Sequence, residues 1–312
     1  MAGSERAESP TRLSRRAFVA ALGLSTVAAV RQQSPALKSR LILLGTAGGP
    51  TPKATRSAPA QAIVIADRTY IVDCGNGVAR QLVLAKVPLA SIRHVFLTHL
   101  HSDHAADYGT LLLLAWGDVL KTGVDTWGPP PLERVTKSFF EMSEPDLTVR
   151  ERDEGRPHLP SLVHPHEVRD AGVVMRDDRV TVTAAIVEHP LIPLAFAYRF
   201  DCPDRSIVFS GDTRPSPALV RLAKGADVLV HEVLLPDRLP ASMPAAVRAH
   251  VLASHTSAAD VGRVAADAGV KLLVLSHFVP SGGPPIPDEA WIAPARKHFS
   301  GRIVAGRDLQ EL

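Results

Sequence analysis

Thr98-His99-Leu100-His101-Ser102-Asp103-His104 is the stretch on which the chain turns. The apolar run His94–Leu97 before it is strand-like, and Ala106–Ala115 after it has helical apolar spacing, so the cluster occupies a strand-to-helix turn. Chance would produce HxHxDH in about 0.001 of chains of this composition. Imidazole and carboxylate are the donors that a borderline cation such as Zn²⁺ accepts. His99, His101, Asp103 and His104 lie close enough in sequence to be divided between two adjacent ions, which would need further ligands from elsewhere.

Those ligands are present at equivalent places. His189 follows a strand-like run at Val180–Val187, Asp212 in Ser210-Gly211-Asp212-Thr213 follows Ser206–Phe209, and His277 follows Leu272–Leu275. Open α/β sheets gather their sites at the carboxyl ends of strands, so all these side chains can meet on one rim. Taken singly, a His before Pro190 or an Asp in a Gly-Asp-Thr turn is an ordinary structural residue. Together with HxHxDH they make a metal centre.

The rest of the chain alternates strands with helices. Arg40–Leu44, Ala62–Ile65 and Tyr70–Val72 start an antiparallel unit, with helices at Val78–Ala85, Pro217–Lys224 and Ser257–Ala268, and strands at Ala195–Phe200 and Val228–Val230. This order indicates a layered α/β architecture in one domain, residues 30–312. Glu141–Arg156 is polar and aperiodic, and reads as an insertion or lid, or else as a solvated surface helix. Gly128-Pro129-Pro130-Pro131 is a rigid turn before a helix. Trp116, Trp127, Phe139 and Phe140 are candidates for a pocket wall or for core. His164-Pro165-His166 has no carboxylate nearby in sequence and fits a strand–loop boundary, while His94, His158, His250 and His298 have no sequence partners.

With 312 residues, 46% hydrophobic and 21% charged, the chain can bury a large core, which excludes a disordered or small disulfide-stapled protein. Cys74 and Cys202 have no CxxC spacing and encode neither a zinc knuckle nor a disulfide framework. The N-terminus joins Arg15-Arg16 to an apolar stretch, Ala17–Val30, too short for a membrane span. It resembles a twin-arginine export signal. That resemblance implies a signal peptide over residues 1–29, passage through the twin-arginine machinery, a periplasmic or secreted protein, and no stable membrane span after cleavage. Removing four arginines and two glutamates with that segment takes the formal charge from +3 to +1. A near-neutral mature chain gives no electrostatic case for nucleic acid.

From Leu41 to Leu312 the sequence resembles the metallo-β-lactamase superfamily, in the branch holding tRNase Z and the arylsulfatase-like hydrolases. The matching features are Leu44-Gly45-Thr46, Ile71-Val72-Asp73-Cys74-Gly75-Asn76-Gly77, HxHxDH, His189, Asp212 and His277. The resemblance implies a four-layer αβ/βα sandwich. It implies two Zn²⁺ per chain, one held by His99, His101 and His189, the other by Asp103, His104 and His277, with Asp212 bridging; other divalent metals suit the same donors. Val230-His231-Glu232-Val233 and Ser254-His255-Thr256-Ser257 resemble a Glu/His pair of tRNase Z-like enzymes. His255 would protonate a leaving oxygen or hold an anionic one, Glu232 would orient that imidazole and sustain its charge, and Asp103 would orient the attacking water.

Two zinc ions lower the pKa of a bound water toward neutrality, so hydrolysis is the expected reaction. The tRNase Z arm between the residues matching His189 and Asp212 is missing, since that interval holds only one hairpin. The expectation is therefore an exported hydrolase of small anionic esters, aryl sulfates or phosphodiesters, acting on no nucleic acid. A lactone or β-lactam-type amide hydrolase, and a non-catalytic metal-dependent binding protein, are the competing readings.

Overall fold

A computed structural model describes residues 37–312 apart from Val119. The expected export signal and its boundary at residue 29 lie outside the described residues.

Period-two alternation builds the sheets. In β1 (Ser39–Gly45), Leu41 and Leu43 turn to one face and Ile42 and Leu44 to the other, and all four are fully buried. Sheet one continues through β2 (Ala60–Ile65), β3 (Arg68–Val72), β4 (Ile92–Phe96), β5 (Val124–Gly128) and β6 (Val163–Glu167). Between these strands run α1 (Val78–Leu84), α2 (Ser102–Ala105), α3 (Tyr108–Asp118) and α4 (Leu132–Glu154). The second half supplies β7 (Gly172–Arg176), β8 (Thr181–Ile186), β9 (Phe196–Asp201), β10 (Ser206–Phe209), α5 (Pro217–Leu222), β11 (Val228–Leu234), α6 (Ala245–Ser254), α7 (Ala258–Ala268), β12 (Leu272–Val279), α8 (Asp288–Arg296), β13 (Arg302–Ala305) and β14 (Gln310–Glu311).

The strand orders are β14-β1-β2-β3-β4-β5-β6 and β13-β12-β11-β10-β9-β8-β7. Each sheet is antiparallel on one side and parallel on the other, the parallel runs being β3 to β6 and β10 to β13. Leu41, Tyr70 and Phe96 from sheet one meet Tyr198, Phe200 and Phe209 from sheet two in a shared apolar layer. The outer faces are covered by α1, α3 and α4 on one side and by α5, α7 and α8 on the other. The expected four-layer α/β sandwich is present. Full burial of each large apolar side chain in these layers contributes about 1.5–3 kcal/mol.

Two pairs of alternatives are decided. Glu141–Arg156 is not a lid: most of it continues α4, whose charges pair along the helix, as Arg150 does with Asp146 and Glu154. Trp116 and Phe140 are core residues beneath sheet one, and Trp127 stacks on Phe96 between the sheets, so none of them walls the cavity described below. Cys74 and Cys202 are unpaired.

Candidate metal centre

Strand ends deliver the site. The loop after β4 carries His99 and His101, the short α2 that follows carries Asp103 and His104, the loop after β10 carries Asp212, and His189 follows the antiparallel β8. His277 is different: it lies inside β12. There, Glu232 pairs with Ser276 and Val233 with Phe278, leaving His277 as the extra residue of a bulge at φ 44°. A bulge re-aims one side chain without ending the strand. Glu232 likewise lies within β11, which runs four residues past the expected end at Val230.

The donors form two adjoining groups. His99, His101 and His189 place one ring nitrogen each within 4.8 Å of one another, and so do one ring nitrogen or carboxylate oxygen each of Asp103, His104, Asp212 and His277; Glu232, His255 and His277 make a further set that overlaps the second. His101 Nδ1 is 3.1 Å from His99 Nε2 and 3.2 Å from His189 Nε2. Those spacings approach the edge, about 3.3–3.4 Å, of a tetrahedron with zinc–nitrogen bonds of about 2.0–2.1 Å. In the second group His277 Nε2 lies 3.2 Å from Asp212 Oδ2 and 3.4 Å from Asp103 Oδ2, and His104 Nε2 lies 3.3 Å from Asp212 Oδ1. Asp212 belongs to the second group and not the first at this spacing.

Tautomers follow from the outer partners. His104 Nδ1 lies 2.8 Å from Asp73 Oδ2, His99 Nδ1 3.1 Å from Thr98 Oγ1, and His189 Nδ1 3.3 Å from the Ser254 carbonyl. The carboxylate and the carbonyl can only accept, and the Thr98 hydroxyl gives its proton to Asp73, so each Nδ1 donates. Each Nε2 is then the ring atom that faces the centre and can take a cation. Gly49 N–H donates to Asp103 Oδ2 at 3.1 Å and steadies that carboxylate.

Burial holds His99 and His101 below the ordinary imidazole range and lowers His189 to about 4, so these rings are neutral and ready to bind a cation. Burial opposes charge on His104 too, but Asp212, Asp73 and Asp103 outweigh it and raise that imidazole. Burial opposes ionisation of Asp103 and Asp212, and the neighbouring histidines hold both carboxyls below their usual range all the same. Buried His104 Nε2 and Asp212 Oδ1, both facing the centre, have no hydrogen-bond partner among the described residues. Orphaned buried polar atoms cost about 1–3 kcal/mol each, and such a donor set fits a divalent cation.

Beside the second group, His255 Nδ1 is 3.3 Å from Glu232 Oε2, an ion-pair distance without hydrogen-bond alignment. Thr256 N–H donates to Glu232 Oε1 at 2.6 Å. Burial works against a charged His255, but Glu232, then Asp212 and Asp103, raise its pKa to about 9. Above the centre lies a cavity of about 230 Å³, walled by His101, His189 and His255 and roofed by Val247, His250 and Val251 of α6.

All nine sequence-predicted site residues come together. Asp73 and His250 were missed. Asp73 follows β3 with φ 61°, a conformation no spacing announces, while α6 buries only Ser254 and so carries no apolar stripe to betray it. The remark on His164-Pro165-His166 also changes. They lie in β6, and β5 supplies Asp125, 2.8 Å from His166 Nε2, toward the amino ends of the strands and away from the metal rim.

A family profile described as "Beta-lactamase superfamily domain" matches residues 68–278. Ribonuclease Z of Mycobacterium bovis is 33% identical over 277 residues, 87% of this chain and 97% of that one. Ribonuclease Z of Mycolicibacterium gilvum is 33% identical over 273 residues, 86% of this chain and 94% of that one. The short form of human tRNase Z superposes with a TM-score of 0.66 at 21% identity, covering 88% of this chain and 98% of that structure, a likeness of fold.

The small-ester expectation is thereby overturned, and with it the expectation of no nucleic-acid partner, because relatives matched almost end to end are named ribonucleases. Net charge misled because it averages the whole surface and says nothing of the charge at one site. Compactness misled too: a match covering 97% of the relative leaves that relative little room for a long extra arm. The chain is a metallo-β-lactamase-fold hydrolase and belongs, within that superfamily, to the ribonuclease Z-like family.

Proposed function

We propose that this protein is a zinc-dependent ribonuclease that hydrolyses a phosphodiester bond of a structured, tRNA-type RNA. The observation that carries the reading is the pairing of two adjoining His/Asp donor groups with the His255–Glu232 pair beside them, in a chain collinear with ribonuclease Z relatives. His99, His101 and His189 would hold one cation; Asp103, His104, Asp212 and His277 would hold the second. Zinc bound there supplies Lewis acidity, bringing the ionisation of water toward neutral pH and offsetting charge on phosphoryl oxygens.

The chain's own groups do the rest. Asp73 and Thr98 fix the imidazole tautomers, and Gly49 N–H fixes Asp103, whose second oxygen orients the attacking water. His255 carries the proton that the leaving ribose oxygen needs. Glu232 keeps that proton on His255 and is itself held by Thr256 N–H.

The test sets a 3′-extended tRNA transcript against an unstructured RNA and an aryl sulfate, with the protein zinc-loaded. Cleavage of the transcript at one junction, with no sulfate release, supports the reading. Turnover of the sulfate alone would overturn it.

A further inference from the structure

We propose that His250 is a substrate-positioning residue that donates a hydrogen bond from Nε2 to a phosphate oxygen of the bound nucleic acid. The inference rests on the phosphodiester reading above and deepens it. Val247, His250, Val251 and Ser254 share one face of α6, spaced for successive turns of a helix, and that face looks onto the metal centre. The His250 ring lies 6.2 Å from that of His189 and 6.4 Å from that of His101, too far for the same cation and near enough for a group bound to it.

The donor follows from Ser254. Its hydroxyl is buried, and the acceptor it reaches is His250 Nδ1 at 3.5 Å. A buried hydroxyl uses its proton, so Ser254 donates and Nδ1 accepts, which leaves Nε2 as the N–H of the ring. The Ser254 carbonyl meanwhile accepts from His189 Nδ1, so one residue ties the roof of the cavity to a candidate ligand. The remaining roof is apolar Val247 and Val251, leaving His250 as the polar group that α6 turns toward an anion among the described residues. An N–H aimed at an anionic oxygen from an apolar roof both attracts the phosphate and sets its orientation.

Inorganic phosphate titrated calorimetrically into the zinc-loaded full chain tests this without requiring that RNA be cleaved. Phosphate affinity should fall about tenfold in His250→Ala and largely return in His250→Gln, whose amide N–H reaches the same region. Zinc content should not change. On the RNA substrate His250→Ala should raise KM by a similar factor and leave kcat within about twofold. Equal phosphate affinity in wild type and His250→Ala would overturn the proposal, as would loss of zinc in His250→Ala, which would make His250 a support for the metal. Failure of RNA cleavage by the wild type, with the phosphate contrast intact, would instead refute the ribonuclease reading.

Discussion

His255 Nδ1 stands 3.3 Å from Glu232 Oε2, and the other oxygen of the same carboxylate is held at 2.6 Å by the backbone N–H of Thr256. The pair is therefore a fixed one, and its charge state can be followed. With a pKa of about 9, above the ordinary value of 6.5, His255 is charged below that pH and loses its proton as pH rises through it. A rate that depends on the charged form should fall on the alkaline side, and in the zinc-loaded protein below pH 9, because Asp212 and Asp103 then face cations and no longer support the charge on His255. In Glu232→Gln the fall should begin at lower pH. His255→Ala should lower kcat about 10²–10⁴-fold with zinc content unchanged. A pH–rate profile with a zinc assay for each variant checks all three outcomes.

Zinc binding should release protons unevenly. His99, His101 and His189 are held neutral by burial and lose none at pH 7, whereas the raised pKa of His104 obliges it to give one up. Calorimetry of the metal-free protein in buffers of different ionisation enthalpy should find one binding event with no buffer dependence and another with about one proton released. Two events with the same proton release would count against the assignment.

Asp73 accepts from Thr98 N–H at 2.8 Å and from His104 Nδ1 at 2.8 Å. Asp73→Ala should weaken zinc about 10–100-fold, measured by chelator competition. It should also cost about 1–3 kcal/mol in denaturant unfolding, because a buried backbone N–H loses its acceptor. Unchanged zinc affinity would remove Asp73 from the account.

Gly211 precedes Asp212 with φ 58°, and a Cβ there would lie 2.6 Å from the Phe196 carbonyl oxygen. Gly211→Ala must shift the loop that carries Asp212. The expected outcome is a loss of about 1–3 kcal/mol in stability together with weakened zinc binding. Thermal unfolding with and without added zinc separates the two effects: a variant that zinc still stabilises as much as the wild type would contradict the second.

The fold was legible where burial imposes a period. Leu41 to Leu44 alternate between two cores, and the apolar faces of α1 and α7 repeat at helical spacing. β5 and β6 were not legible, because Asp125, Pro165 and two histidines interrupt them and cross-strand partners alone hold them in the sheet. The ligands were legible because His and Asp cluster at strand ends. Asp73 and His250 were not, since one acts through a left-handed backbone turn and the other through a helix that buries a single residue. Substrate was the least legible property, for the chemistry of the donor groups is common to many anions and the surrounding net charge says nothing local.

The central claim, hydrolysis of an RNA phosphodiester at this centre, is tested most directly by single-turnover cleavage of a 3′-extended tRNA precursor bearing a 2′-deoxy sugar at the scissile nucleotide. The account predicts that the zinc-loaded protein cuts it about as fast as the all-ribose RNA, because water and not the 2′-hydroxyl attacks, and that chelation or Asp212→Ala abolishes the cut. No cleavage of either RNA by the loaded protein, or cleavage that survives in Asp212→Ala, would contradict it.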